Sequence, residues 1–301
     1  MIVLIMICFI LVAIIIGYLF GSISFSLILS KLVKVDILNQ GSKNAGATNL
    51  ARLSKLWLGF LVAFFDMIKV ILAGFFFYLF AYYVGRIIFN FNNASINNPN
   101  DFVPNIFFSN VFKHNDFPYK IIFIIYLTPV VAVFAHCFPI YSKFRNGGKG
   151  VASFLGLSFF ISPWLGIALV IIWWTLQFAF KYVSLSSIIS VIIIAIIYWI
   201  NELRSFYWIS QNNLIAHGFF LFDYSNSGGS MQERLSVDWV LTTYVFFLIF
   251  CSVVLIILRH KANIKRLLNH QEKKFDVLDN RTFKKILNKI TSVFNKNPTD
   301  V

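Results

Sequence analysis

Apolar residues are gathered into long uninterrupted segments, most of them long enough for a bilayer crossing. The segments cover approximately residues 3–28, 57–84, 119–137, 151–180, 187–200 and 237–258. A helix of about 20 residues spans the hydrocarbon core of a membrane. Of the 301 residues, 58% are hydrophobic and 13% are charged, and the mean hydropathy is +0.76. These values predict an all-α polytopic membrane protein and exclude an ordinary soluble domain.

The segment at 151–180 is too long for one straight crossing and has a turn signal near its middle. Because proline ends or kinks a helix, Ser162-Pro163 is expected to divide it into two helices, the first of which need not cross fully. About seven transmembrane helices result. One tilted helix or a re-entrant pair is the alternative. The first segment has no basic residues before its apolar run, so we expect a retained helix and not a cleaved signal peptide.

Basic residues lie on one side of the predicted helices. Residues 28–56 carry five Lys/Arg and one acidic residue, and residues 136–150 carry three Lys/Arg and no acidic residue. The chain from Arg259 onward adds 11 Lys/Arg against four Asp/Glu. Since basic loops face the cytoplasm, the N-terminus is predicted outside a cell membrane and the C-terminus in the cytoplasm.

The predicted organisation is one integral membrane domain, residues 1–275, followed by a basic tail, residues 276–301. Two insertions near 86–118 and 201–236 are predicted to be extracellular, because their charges are balanced or slightly acidic. In the tail, apolar residues recur at helical spacing between lysines, which predicts an amphipathic cytoplasmic helix on anionic headgroups. A disordered basic tail is the alternative. The net charge of +14 is thus assigned to the membrane surface, not to nucleic acid.

A dense polar loop between the first two apolar segments is the first candidate site. Glycine lets backbone N–H groups approach an anion, hydroxyls and amides donate hydrogen bonds, and arginine supplies a two-pronged cation. A polar turn with an asparagine cap is the structural alternative, although the loop is richer in donors than such a turn needs. The candidate residues are Gly41, Ser42, Asn44, Thr48, Asn49 and Arg52.

A second glycine-bearing basic loop precedes the next predicted helix. A helix N-terminus favours anions, and a lysine there adds a point charge. The loop is not a nucleotide P-loop, because Lys143 stands at the first glycine position and Gly150 at the Ser/Thr position. The candidate binding residues are Gly147, Gly148, Lys149, Gly150 and Ser153.

Further polar residues are predicted on the same side of the membrane. Ser184 and Ser187 begin a helix, where capping is the alternative role. His260 and Asn263 share a helix face, and His136 ends the third segment. Asp66 and Lys69 are three residues apart inside a helix, so they are expected to pair within the bilayer, where we favour a structural role.

The sequence lacks two kinds of catalytic motif, and this limits the reaction mechanisms that we expect. None of the five histidines is followed five positions later by aspartate, as a His–Asp acyltransferase motif would require. No His, Cys and carboxylate cluster has metal-ligand spacing, so no metal or other cofactor is expected. Catalysis is then expected to depend on positioning and electrostatics with an activated donor.

These motifs resemble those of the bacterial membrane acyl-phosphate:glycerol-3-phosphate acyltransferases. The resemblance covers residues 1 to about 275, apart from the two insertions. It is carried by Gly21-Ser22, by Gly41 to Arg52, by His136 to Ala152, by Ser184 to Ser187, and by Arg259 to Arg266. The chain differs from the family pattern at Ser24, Leu38, Lys43 and Asn146.

The resemblance implies transfer of a fatty acyl group from acyl phosphate to the 1-hydroxyl of glycerol 3-phosphate, giving lysophosphatidic acid and phosphate. It implies Ser42, Arg52, Lys149 and Asn263 as the catalytic set, with Ser184 or Ser187 beside them. The leaving phosphate is expected to accept the hydroxyl proton. A small-anion or glycerol-3-phosphate transporter is the rival interpretation. It is disfavoured because the donors lie at the membrane edge and no internal repeat is evident.

Overall fold

The computed structural model describes residues 2–88, 120–212 and 231–275, with the single tail residues Asn288 and Thr291. The described residues form ten α-helices and one short 3-10 turn, Ile140–Ser142. The first five helices are α1 (Ile2–Ser22), α2 (Phe25–Leu32), α3 (Ala47–Leu53), α4 (Leu56–Ile88) and α5 (Lys120–Cys137). The others are α6 (Val151–Ile161), α7 (Pro163–Phe180), α8 (Val183–Asn212), α9 (Met231–Arg259) and α10 (Lys261–Leu268).

Six segments in the described part of the chain are helical, long and apolar enough to cross a membrane, which confirms the all-helical multi-pass fold. The predicted division at Ser162-Pro163 is also confirmed, since α6 ends at Ile161 and α7 begins with Pro163. Helix α6 has 11 residues and is about 16 Å long. It therefore crosses only about half of a hydrocarbon core of about 30 Å.

Several predicted boundaries differ from the structure. The first apolar segment is two helices, because the chain breaks after Ser22 and restarts at Phe25. The prediction of a loop over 201–236 was wrong at both ends, since α8 runs to Asn212 and α9 starts at Met231. Both helices continue beyond their apolar segments into stretches that mix polar and apolar residues. Most of the 86–118 insertion and almost all of the 276–301 tail lie outside the described residues.

Helices α1 and α4 to α9 contribute buried residues to the main core. Val70, Phe77, Phe154 and Ile256 are each almost fully buried in it. A smaller cluster, with Ile37, Leu50 and Leu58 among its members, lies beneath the first polar loop and attaches α3 to α4. The outer helix faces expose large apolar side chains such as Trp57 and Phe247. Such faces suit contact with lipid.

Candidate active site

A pocket of about 310 Å³ opens at one end of the helices, where four separate polar segments meet. Both glycine-bearing loops reach it, together with the start of α8 and the α9–α10 junction. Its polar wall includes most of the predicted site residues. These are Ser42, Asn44, Thr48, Asn49, Arg52, His136, Lys149, Gly150, Ser184, Ser187, His260 and Asn263.

Asn49 organises the first loop. Its side-chain oxygen accepts a hydrogen bond from the Ser42 N–H at 2.9 Å. Its amide nitrogen lies 2.8 Å from the Ile37 carbonyl and 3.2 Å from the Gln40 and Asn44 carbonyls. Because these contacts use both amide N–H donors and one lone pair of the side-chain oxygen, Asn49 holds the loop in shape. Neighbouring Ser42 and Thr48 are left to face the pocket.

Arg52 lies where the first loop meets the chain beyond α10. Its guanidinium carbon is 5.2 Å from the centre of the Phe275 ring, and its Nη2 donates to the Lys273 carbonyl at 3.4 Å. The Phe275 N–H donates to the Lys181 carbonyl, and Gln177 donates to the Phe275 carbonyl. Residues 271–275, called the strap below, are therefore tied across the pocket from α3 to α7.

Arg259 fixes the second loop. Its guanidinium donates to the Gly148 carbonyl at 3.2 Å and to the Gly147 carbonyl at 2.8 Å. A side chain on Gly148 would collide with the His136 ring, so only glycine permits this close approach. Gly150 has a φ of 89° immediately before α6, a conformation that favours glycine. The loop thus presents Lys149 to the pocket in front of a helix N-terminus.

Lys149 is a partly buried cation among other cations. Burial lowers the pKa of its ammonium to about 8, and repulsion from Arg266, Arg52 and Arg259 adds to this effect despite attraction to Glu272. A charged group in such surroundings gains from an anionic ligand. The surroundings of the lysine therefore favour an anionic ligand.

Glu272, in the strap, lines the pocket and was not among the predicted site residues. Its Oε1 accepts hydrogen bonds from Ser184 Oγ at 2.9 Å and from Asn263 Nδ2 at 2.7 Å. Its Oε2 accepts one from Arg266 Nε at 2.7 Å. Burial raises the pKa of this carboxyl, but the three hydrogen bonds outweigh burial and the pKa is lowered. The ionised carboxylate thus aligns donors from α8 and α10.

His260 reaches the pocket as a hydrogen-bond acceptor. Its Nδ1 lies 2.8 Å from the Ile256 carbonyl, which can only accept, so Nδ1 carries the proton. Burial and the nearby Lys149 lower the pKa of the imidazole to about 4. The ring is therefore neutral, and its Nε2 lone pair is available.

Ser187 reaches the pocket as a hydrogen-bond donor. The Trp173 indole N–H, which cannot accept, donates to Ser187 Oγ at 3.1 Å. Ser184 differs, because its hydroxyl proton is already given to Glu272. Of the two serines, only Ser187 has a proton to offer a ligand.

One side of the pocket is apolar and aromatic. Phe60 and Trp174 have ring centres 6.0 Å apart, and Trp174 stacks on Phe178. Leu155, Leu169 and Val170 continue this wall between α6 and α7. A ligand with a charged head and a hydrocarbon chain fits these two halves.

Four predicted binding residues lie outside the pocket lining. Gly41 packs against the Asn49 side chain, and Gly147 packs against the Cys137 carbonyl. Gly148 packs against His136. Ser153 is fully buried in α6, and its hydroxyl has no hydrogen-bond partner within the described ranges. The glycines shape the loops, and their role as ligand contacts stays a prediction.

The structure also adds residues that the sequence analysis left out of the site. Asp66 lines the pocket, and the predicted Asp66–Lys69 ion pair is confirmed at 2.8 Å. Trp173 and Glu272 lie outside the motifs on which the predicted site was based. A signal for Glu272 was present, since it is the only acidic residue in the strongly basic stretch from Arg259 to Phe275.

Comparison with known proteins identifies the family. Residues 11–270 match the family model described as glycerol-3-phosphate acyltransferase. A glycerol-3-phosphate acyltransferase of Mycoplasmoides gallisepticum is 32% identical over 88% of this chain and 94% of its own length. One from Mycoplasma pneumoniae is 32% identical over 89% and 95%.

A solved structure agrees with these relatives. The glycerol 3-phosphate form of PlsY (YgiH), described as an integral membrane glycerol 3-phosphate acyltransferase, is similar with a TM-score of 0.58 and 25% identity. The similarity covers 90% of this chain and 97% of that chain. The described part of the chain has six candidate membrane spans and a pocket lined by residues from four of the five motifs, and the chain belongs to the glycerol-3-phosphate acyltransferase family.

Proposed function

We propose that the protein transfers a fatty acyl group from acyl phosphate to the 1-hydroxyl of glycerol 3-phosphate, giving lysophosphatidic acid and inorganic phosphate. The observation that carries this proposal is the pocket itself, in which a cationic polar end adjoins an aromatic, apolar wall. Glycerol 3-phosphate needs only the polar end, whereas an acyl donor needs both. Relatives described in a glycerol 3-phosphate form and a lysphosphatidic acid form support the acceptor and the product.

The polar end offers separate groups for two phosphorylated reactants. Arg52, Lys149 and Ser42 supply positive charge and donors for phosphate oxygens. Ser187 offers its proton beside Trp173, where the polar end meets the apolar wall. We infer that Ser187 faces the donor where its acyl chain joins the phosphate. Asn263, held by Glu272, is placed to contact the acceptor.

The proposed chemistry needs no covalent enzyme intermediate. The glycerol hydroxyl oxygen attacks the carbonyl carbon of the mixed anhydride, and the bond from that carbon to the phosphate oxygen breaks. The hydroxyl proton passes to the leaving phosphate. His260 Nε2 is an acceptor that orients the hydroxyl hydrogen, although its low pKa makes it a weak base. Positioning and charge stabilisation then supply the rate enhancement.

The site is inferred to lie on the cytoplasmic side of the cell membrane. In sequence, Lys31, Lys34, Lys55 and Lys143 lie next to the two glycine-bearing loops, and basic loops face inward. The proposed contact of the tail with anionic headgroups concerns residues outside those described, and it stays a prediction.

Lys149 gives the proposed reaction a defined pH dependence. Its ammonium is charged below about pH 8 and loses its proton above it, so kcat/KM for glycerol 3-phosphate should fall as the pH rises through that value. The fall in kcat should occur at higher pH, because bound phosphate favours the charged form. The measurement is kcat/KM between about pH 7 and about pH 10. In Lys149→Arg the fall of kcat/KM with rising pH should disappear. If the variant keeps the wild-type pH profile, another group causes the fall.

Trp173 is expected to act through Ser187. Trp173→Phe keeps the aromatic ring but removes the N–H, and kcat/KM should fall about three- to tenfold, the effect of one hydrogen bond. In a Ser187→Ala background the same change should have almost no effect, because the hydroxyl is already absent. Trp57→Phe, at an exposed position on α4, is the matched control. If the two substitutions lowered kcat/KM independently, so that the fold-losses multiplied in the double variant, this coupling would be contradicted.

A donor-swap assay on the purified protein tests the proposed function most directly. Phosphate should be released from acyl phosphate only when glycerol 3-phosphate is present, with one lysophosphatidic acid formed per phosphate. Acyl-CoA and acyl-carrier protein should not replace the donor. Equal rates with either would refute the donor assignment. Uptake of labelled glycerol 3-phosphate into proteoliposomes without any donor would instead favour a transporter.

A further inference from the structure

Three buried polar side chains lie together at the inner edge of the pocket. Asp66 and Lys69, both on α4, are 2% and 3% exposed, and His136 at the end of α5 is 6% exposed. Asp66 and His136 line the pocket, while Lys69 lies behind them. Pairing of charges is expected inside a membrane protein. It does not by itself explain why a histidine joins the pair.

The lysine ammonium contacts three possible acceptors. Its Nζ lies 2.6 Å from the Ile23 carbonyl, 2.8 Å from Asp66 Oδ1 and 3.0 Å from His136 Nδ1. The Ile23 carbonyl is free for this contact because the first membrane segment breaks between α1 and α2. An ammonium has three N–H donors and no acceptor. The contacts with Ile23 and His136 are hydrogen bonds, whereas the contact with Asp66 is an ion pair without hydrogen-bond geometry.

This arrangement fixes the proton on the His136 ring. Because Lys69 can only donate, His136 Nδ1 must present its lone pair, and a neutral ring then carries its proton on Nε2. Asp66 Oδ1 is 3.5 Å from Nδ1, longer than a normal N–H···O hydrogen bond. The carboxylate is thus the partner of the ammonium, not of the ring.

The proton on Nε2 has no acceptor in the part of the chain that the structure describes. Nε2 is the ring atom that a side chain on Gly148 would meet first, so this edge faces the second loop beside Lys149. His136 makes no hydrogen bond through Nε2 to any residue in the described ranges. A donor left unpaired at the wall of a cationic pocket is suited to a phosphate oxygen.

We propose that Lys69 acts as a positioning residue that locks His136 in the Nε2–H form, so that His136 donates a hydrogen bond to a phosphate oxygen of a bound reactant. This inference rests on the proposed function and deepens it. His260 takes the opposite form, with its proton on Nδ1 and its lone pair at Nε2. The two histidines of the pocket are then not interchangeable, since one donates and the other accepts.

The proton positions are measurable in the wild-type protein. Histidine labelled with ¹³C and ¹⁵N, observed by solid-state NMR in proteoliposomes, distinguishes Nδ1 from Nε2 through the ring carbons. Loss of one signal set in His136→Gln assigns that residue. We expect an unprotonated Nδ1 for His136 and a protonated Nδ1 for His260. A protonated Nδ1 on His136 would overturn the proposal.

Matched substitutions test the role in activity. The amide nitrogen of glutamine reaches the place of Nε2, whereas that of asparagine reaches the place of Nδ1. His136→Gln should keep most of the activity, and His136→Asn should lose about 100-fold in kcat/KM, the effect of removing a preorganised donor. His270→Asn, outside the pocket, should change nothing. If the asparagine variant is as active as the glutamine variant, His136 is not an Nε2 donor.

Removing the lysine tests its positioning role. Asp66→Asn with Lys69→Met removes both charges together and avoids an unpaired buried ion. In a folded protein with this double change, the NMR signals of His136 should show both neutral forms or the Nδ1–H form. Retention of the pure Nε2–H form would show that Lys69 does not set it. The donor-swap assay on wild-type protein stays independent, so the proposed function can hold when this inference fails.

Discussion

Arg52→Ala and Lys149→Ala are each expected to lower kcat/KM about 100- to 1,000-fold, because each removes a preorganised cation from the developing phosphate charge. Arg52 lines the pocket over Phe275, and Lys149 stands before the N-terminus of α6. Arg52→Lys should recover only part of the loss, since a point charge does not replace the planar two-pronged guanidinium. Initial rates of phosphate release with both substrates varied provide the measurement.

The controls are lysines near the same loops that do not line the pocket. Lys55→Ala and Lys143→Ala remove exposed positive charges. If the loss of kcat/KM came only from reduced surface charge, these two variants would lose as much activity. Thermal unfolding of all four variants separates lost catalysis from lost folding. Full activity in both Arg52→Ala and Lys149→Ala would show that the phosphate site is elsewhere.

Glu272→Gln is expected to lower kcat/KM about 10- to 100-fold, because misplacement of binding groups by a fraction of an ångström slows a positioned reaction. The substitution keeps the size of the side chain but weakens three charge-assisted contacts, those from Ser184, Asn263 and Arg266. Asn263 is then free to rotate away from the acceptor. Gln271→Ala, the neighbouring exposed position of the strap, is the matched control.

The pH dependence of stability gives a second measure of Glu272. Its folded pKa is lowered, so its contribution to stability is complete above the ordinary pKa of a glutamate and is lost as the pH falls through the folded value. Between neutral and acidic pH, the wild type should lose more stability than Glu272→Gln. Parallel unfolding curves across that range would mean that the carboxylate does not anchor the strap.

The membrane fold was predictable from the sequence because apolar segments and proline positions act locally. The division at Ser162-Pro163 and the ion pair of Asp66 with Lys69 needed only spacing along the chain. The break after Ser22 did not follow from hydropathy, because both sides of it are apolar. Its free Ile23 carbonyl is stabilised by Lys69, 46 residues away in sequence.

The candidate site was predictable in its motifs but not in its internal contacts. Glycines at 41, 147 and 148 marked the right loops, yet they serve packing against Asn49, Cys137 and His136. The division of roles between Ser184 and Ser187 depends on Glu272 and Trp173, which approach from distant segments. Such long-range partners leave no periodic pattern in a single sequence.

Two-substrate initial-rate kinetics test whether one pocket binds both reactants together. With acyl phosphate and glycerol 3-phosphate both varied, double-reciprocal lines should intersect, since both reactants must be bound before any bond breaks. Parallel lines, together with phosphate release from acyl phosphate alone, would indicate a covalent acyl-enzyme. That result would contradict direct transfer between two phosphorylated ligands held side by side.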